Sequence, residues 1–326
     1  MAENNSFSDI LKNEIIQPKT QVAEQEPINV PQEIKINAED TNSVSVASGN
    51  QITTTTQTET PPTVPNPSPV LQNVVDFVDV CLKFGDFTLF DNLQFCIPDF
   101  VNEGQFISIL GRSGCGKSQI AKLISGLKKP TSGEVRIYGV TVNDKTSVPM
   151  VFQQYSSYPW KTVRKNVELP MKLKGVPRAE RKQRALELLK LVGLEGQDAK
   201  WPRQLSGGQL QRVSLARNLA ANSQIMILDE ATSALDIFSK RDMQNALLDI
   251  YYNSDLDPTI INITHDISEA VMLSNRIIVM QANPSKVYKT FDIKFDGKRT
   301  QDIRNTPQFS EYVKQIEQAM NEVSKS

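Results

Sequence analysis

Histidine is nearly absent from this chain: His265, in "TIINITHDISEA", is the only one in 326 residues. Taken alone, a single His just after an apolar run reads as a hydrogen-bonded structural residue. Cysteine is scarce too. Cys81, Cys96 and Cys115 are odd in number and lack CxxC spacing, which argues against a disulfide framework and a structural zinc site, and reads as reduced thiols. Long apolar runs are missing, so no segment reaches the roughly 18–20 residues needed to cross a bilayer. The opening "MAENNSFSDILKNEIIQ" has no basic stretch ahead of an apolar core, so it does not read as a secretory signal and the chain is expected to stay in the cytosol. Strong net charge is also lacking, at −1, but residues 1–70 hold 3 Lys/Arg against 9 Asp/Glu, so an acidic arm precedes a mildly basic body. Neither part suggests a nucleic-acid surface.

What is present is a soluble composition, 39% hydrophobic and 22% charged, with no internal repeat, enough for one large domain or two small ones with a real core. Residues 20–70 are rich in Gln, Asn, Thr and Pro and carry too few large apolar groups to offset the entropy of ordering, so residues 1–70 are expected to form a disordered acidic and polar arm. Within it, "FSDILKNEII" sets Phe7, Ile10, Leu11 and Ile15 near one helical face, either a transient helix without a role or a short docking helix. From about residue 71 the pattern changes. "NVVDFVDVCLKFG", "LQFCIPDF" and "GQFISILG" are strand-like, whereas Ala185, Leu188, Leu189 and Val192 repeat at helical spacing. With the apolar runs "QIMILDE" and "TIINITH", this alternation predicts a mainly parallel sheet covered on both faces.

"FISILGRSGCGKSQ" sets a strand-like run immediately before Gly111, Arg112, Ser113, Gly114, Cys115, Gly116, Lys117, Ser118 and Gln119. Gly111 to Ser118 fits G-x-x-x-x-G-K-[ST] in the strand-to-helix setting that gives the pattern meaning. Glycines let successive backbone N–H groups turn inward on phosphate oxygens, and the helix that follows adds its positive end. Lys117 then reaches the β- and γ-phosphates while the Ser118 hydroxyl helps hold Mg²⁺. That cation prefers oxygen ligands, including one or two carboxylates. "IMILDE" supplies them, with Asp229 at the carboxyl end of a buried run, where open α/β sheets bind ligands, and Glu230 placed to take a proton from an attacking water.

A phosphate loop alone fits GTPases, small-molecule kinases, helicases and transport ATPases. "LSGGQLQRVSLARNLAANSQIMILDEATSALD" resembles the ATP-binding cassette family, in which Leu205, Ser206, Gly207, Gly208 and Gln209 precede a helix and then the acidic pair. The resemblance covers about residues 74–300. It implies an α/β P-loop NTPase cassette with a mixed, mainly parallel core sheet, an antiparallel β subdomain and a helical signature subdomain over about 155–222. The ATPase domain then spans 71–300 and a helical tail 301–326. From the residues themselves, Ser206 caps the following helix, so its hydroxyl, amides and dipole make a second anion site. One nucleotide needs one phosphate loop, so a second receptor 88 residues after Ser118 makes sense if it serves a nucleotide held by another subunit.

The resemblance implies that two cassettes, identical or paralogous, face head to tail around ATP, with Asp236 of "SALD" in the loop crossing between them. It also implies that Phe84 in "LKFGD" stacks on adenine. Gln153 in "MVFQQYSSYPW" matches the Mg²⁺- and water-sensing glutamine, with Gln154 as the alternative. His265, 35 residues after Glu230, matches a switch histidine near the γ-phosphate, where a largely neutral imidazole donates to a phosphate oxygen and orients the water. Two departures stand out: Gln119 replaces a common second hydroxyl, and Ala231 a common Pro. Cys115, inside the cradle, reads as a point of sensitivity to thiol reagents.

"YPWKTVRKNVELPMK" is similar to the Pro-Trp-x-Thr-Val-x-x-Asn-Val stretch of the nitrate, sulfonate, taurine and bicarbonate importer ATPases, and the chain's end looks like the short tail of that branch. Only 61 residues follow His265, too few for the added β-barrel of sugar-importer ATPases. The expected task is ATP hydrolysis that energises import of a small anion at the inner face of the cell membrane, with separate permease subunits and a solute-binding protein. An exporter ATPase for lipids or lipoproteins, or a cassette ATPase outside transport, is the alternative. Against the latter, chromosome-type members insert a long coiled coil and translation-type members carry two cassettes.

Overall fold

A computed structural model describes residues 70–324, apart from 101–103, 144, 147, 155, 254–257 and 283–284. The arm, and the helix expected near Phe7, lie outside the described residues.

Strands β1 (Val70–Phe84) and β2 (Phe87–Phe100) form a long antiparallel hairpin that turns through Gly85 at φ +58°. With β4 (Ser132–Ile137) and β5 (Val140–Thr141) they make an antiparallel sheet in the order β2-β1-β4-β5. The second sheet contains β3 (Gln105–Gly111), β6 (Met150–Val151), β7 (Ile225–Asp229), β8 (Thr259–Ile263), β9 (Arg276–Gln281) and β10 (Lys286–Asp292). Its order is β10-β9-β3-β8-β7-β6, parallel from β9 to β6 with β10 antiparallel at one edge.

β3 and β8 are buried along their whole length because both faces of the sheet are covered. The two-residue period divides their side chains between two cores. Phe106, Leu110, Met226, Leu228 and Ile260 join a core shared with the helices. Ile107, Ile109, Ile225, Ile227, Ile261 and Ile263 face the other way, toward the antiparallel sheet and α1 (Lys117–Ile124).

Helices α2 (Val163–Leu173), α3 (Arg178–Leu191) and α4 (Gly207–Leu219) lie between β6 and β7 in the chain. The helical spacing in α3 buries Ala185 and Leu189, followed by Val192, in the same core as Val163, Val167 and Val213. Helices α5 (Ile237–Asn253), α6 (Ile267–Leu273) and α7 (Pro307–Val323) complete that layer. Because β3, β8 and β7 are adjacent and parallel, Gly111, Ile263 and Asp229 all end at one sheet edge. The phosphate-loop, acidic-pair and histidine segments leave from that edge, the usual ligand position of an open α/β sheet.

Candidate functional site

The loop after β3 turns sharply into α1, with Gly114 at φ +85° and Gly116 at φ +90°. At Gly116 a side chain is excluded twice, by that dihedral and by space, since a Cβ there would meet the Phe90 ring at 2.5 Å. Lys117 is almost buried, and its ammonium donates to the carbonyls of Gly111 (2.7 Å) and Arg112 (3.1 Å), folding the loop around itself. The Ser118 hydroxyl donates to Asp229 Oδ1 at 3.0 Å. Burial pushes the Asp229 carboxyl above the usual range, an effect opposed by the Ser118 hydrogen bond and reinforced by the neighbouring Glu230 charge.

Glu230 follows with φ +49°, an uncommon conformation for a non-glycine residue, and its N–H donates to Ile263 O at 2.9 Å. This bond ties the acidic pair to the strand that delivers His265. His265 Nδ1 lies 3.6 Å from Glu230 Oε1, with the imidazole largely open to solvent.

An open cleft of about 310 Å³ runs over the loop, lined by Phe84, Leu89, Ser113, Gly114, Gly116, Lys117, Ser118, Gln119 and Glu230. Phe84, at the tip of the β1–β2 hairpin, is thus brought to the phosphate loop from a separate sheet. Lys128 places its ammonium 3.8 Å from the centre of the Phe84 ring. Sequence reasoning missed both Leu89 and Lys128. Leu89 reads as one more apolar strand residue, and Lys128 lies 44 positions from the ring it covers, with no local signal linking them.

Arg112 is exposed at the loop mouth and Gly111 closes β3, neither lining the cleft. The expected thiol sensitivity of Cys115 is overturned. Its side chain is fully buried beneath the loop, and a Cβ at Gly111 would meet Cys115 Sγ at 2.5 Å. Burial pushes the thiol pKa up, and the Lys117 charge only partly opposes this, so the nucleophilic thiolate is disfavoured as well as inaccessible.

Ser206, Gly207, Gly208 and Gln209 do not line this cleft. They start α4 with a reciprocal capping box, in which Ser206 Oγ accepts from Gln209 N–H (3.3 Å) and Gln209 Oε1 accepts from Ser206 N–H (3.0 Å). Gly208 abuts the start of α5, where a Cβ would meet Ser239 Oγ at 2.5 Å. Asp236 caps α5 itself, accepting from the N–H groups of Phe238 and Ser239 at 3.0 Å each; Ser239's side-chain and backbone hydrogen bonds hold its carboxyl below the usual range. Gln153 and Gln154 are exposed beyond β6 and also stand apart from the cleft.

The segment after Gln153 is held tightly. Asn166, fully buried, accepts from Tyr158 N–H (2.7 Å) and donates to the carbonyls of Tyr158 (3.1 Å), Lys161 (3.1 Å) and Thr162 (3.0 Å). Arg217 of α4 donates to Ser156 O at 2.6 Å, and Gln211 of α4 to Phe152 O at 2.7 Å. Trp160, carried by this braced loop, is 68% exposed.

A tight strand-to-helix loop around a buried lysine, with a serine bonded to an aspartate at the end of another strand of the same sheet, is the arrangement of a P-loop nucleotide-binding protein. Residues 91–233 match the family model described as ABC transporter. The nitrate import ATP-binding protein NrtD of Synechocystis sp. is 40% identical over 223 residues, 66% of this chain and 83% of its own length. The Fe(3+) ions import ATP-binding protein FbpC of Escherichia coli is 38% identical over 213 residues, 64% of this chain and 60% of its own. Among solved structures, a dimeric post-hydrolysis state of the ATP-binding cassette MJ0796 bound to ADP and Pi is similar with a TM-score of 0.57 and 34% identity, covering 68% of this chain and 99% of that one. The chain belongs to the ABC transporter ATPase family and is an ATP-binding, ATP-hydrolysing subunit. Among the described residues, no helix is long and apolar enough to cross a membrane.

Proposed function

We propose that this subunit energises import of a small anion, of the nitrate, sulfonate, taurine or bicarbonate kind, through separate permease subunits at the inner face of the cell membrane. A solute-binding protein would deliver the anion. In this reading the cleft-lining loop from Ser113 to Ser118, with Lys117, binds the triphosphate, and Phe84 stacks on adenine while Leu89 walls the cleft. Ser118 and Asp229, hydrogen-bonded oxygen donors at the cleft edge, suit a hard divalent cation such as Mg²⁺. When bound, the cation neutralises charge developing on the phosphates. Glu230 takes the proton of the attacking water, and His265 donates to the γ-phosphate oxygen.

The observation that carries the assembly is the capping-box turn at Ser206. It is a capped helix start that is not part of the cleft around its own phosphate loop, which fits a receptor for nucleotide held by a second copy or a paralogue. Asp236 lies in the segment that would cross between them. Trp160, exposed on a loop pinned by Asn166, supports a permease contact, and the similarity to the nitrate import protein supports the solute class.

The test is Glu230→Gln with ATP and Mg²⁺ on a sizing column. Arrested hydrolysis should trap an ATP-bound dimer at twice the subunit mass, whereas a monomer that keeps turning over contradicts the assignment.

A further inference from the structure

Glu269 on α6 is a buried carboxylate, 2% exposed, lying outside the cleft. Its environment is unusual in where its partners come from. Oε2 accepts from the Thr232 hydroxyl and from Gln244 Nε2 (3.3 Å), and Lys240 Nζ stands 3.4 Å away as countercharge. Oε1 accepts from Asn262 Nδ2 at 3.4 Å. Thr232 lies two residues after Glu230, and Asn262 three residues before His265. One carboxylate therefore holds both segments that carry the reacting pair.

The surroundings leave little freedom for that carboxylate. Asp266, next to His265, caps α6 by accepting from Glu269 N–H (2.9 Å) and takes a hydrogen bond from Lys240 at 2.7 Å. Gln244 is in turn held by Arg304 Nη2 at 3.0 Å, which leaves its amide hydrogens directed at Glu269. A buried ion with this many donors is costly to displace, because each partner would be left unsatisfied. The Glu230 backbone has φ +49° and needs a neighbour to keep it there. Thr232 is the nearest side chain after it with a fixed buried anchor.

We propose that Glu269 is a positioning residue for hydrolysis: by gripping Thr232 and Asn262 it sets the separation and orientation of Glu230 and His265. This rests on the reading of those two residues as the hydrolytic pair. Glu269 is buried and does not line the cleft, so its removal should leave binding intact and slow only the step that needs the pair aligned. A misplacement of about 1 Å at a reacting group costs up to roughly a hundredfold in rate.

The experiment compares Thr232→Val, Thr232→Ser and Glu269→Gln in the full chain. It measures kcat and KM for ATP, melting temperature, and the effect of Thr232→Val in a His265→Ala background. The expected result is a roughly 10- to 100-fold loss of kcat for Thr232→Val and Glu269→Gln with KM unchanged, and recovery in Thr232→Ser. In the His265→Ala background, Thr232→Val should cost far less than it does alone, because its effect acts through the pair. Wild-type kcat in Thr232→Val overturns the proposal, and so does a loss that is additive with His265→Ala and tracks the melting temperature. If Glu269→Gln does not fold, the Thr232 series decides. Glu230→Gln and His265→Ala serve as controls: if either turns over like wild type, the pair assignment itself fails, whereas slow controls beside a normal Thr232→Val remove only the positioning role.

Discussion

The Ser118 hydroxyl donates to the Asp229 carboxylate at 3.0 Å, joining the first turn of α1 to the end of β7 across 111 residues of sequence. That bond gathers at one point the two oxygen donors that the proposed function assigns to a divalent cation.

Asp229 should therefore trade stability for function. Burial raises its pKa in the folded state, so the group favours folding below the ordinary carboxylate range and loses that contribution as pH rises through the raised value. Asp229→Asn should melt no lower than wild type at pH 7–8 without nucleotide, with the difference shrinking toward pH 4. The same variant should lose roughly 10²-fold or more in ATP turnover, in line with the several kcal/mol a bound cation supplies to phosphate charge. Thermal melts across pH beside a phosphate-release assay would check both halves; a variant melting clearly below wild type at neutral pH would refute the first.

Thiol chemistry should bypass the phosphate loop. Cys96 is exposed, Cys81 intermediate and Cys115 fully buried with a raised pKa. A chromogenic disulfide titration of the native protein should modify Cys96 first, and Cys115→Ala should leave the rate and extent of that reaction unchanged until denaturant is added. Loss of a fast-reacting thiol in Cys115→Ala would show that the loop opens in solution.

The loop carrying Trp160 depends on Asn166. Asn166→Ala removes the acceptor of the Tyr158 N–H and a donor to the Lys161 carbonyl, while the Tyr158 and Thr162 carbonyls keep their backbone donors, a loss of about 1–3 kcal/mol. The melting temperature should fall by several degrees. Trp160→Ala, by contrast, removes an exposed ring and should leave melting unchanged while weakening co-purification with the permease. Equal co-purification of both variants with wild type would remove this loop from the permease contact.

The phosphate loop, the acidic pair and the capped turn at Ser206 were legible in the sequence because each is contiguous chemistry. A tight turn needs Gly114 and Gly116, a capping box needs Ser206 and Gln209 three apart, and a buried parallel strand reads as an unbroken apolar run before Asp229. The helical spacing of Ala185, Leu189 and Val192 was readable for the same reason, since a helix face repeats locally. Tertiary structure alone decided that Cys115 is buried, that Lys128 covers the Phe84 ring, and that Glu269 grips one residue near Glu230 and one near His265. Burial, desolvation and long-range hydrogen bonds depend on which strands and helices become neighbours. The order β9-β3-β8-β7, which brings residues more than 100 positions apart to one edge, is written in no single stretch of the chain.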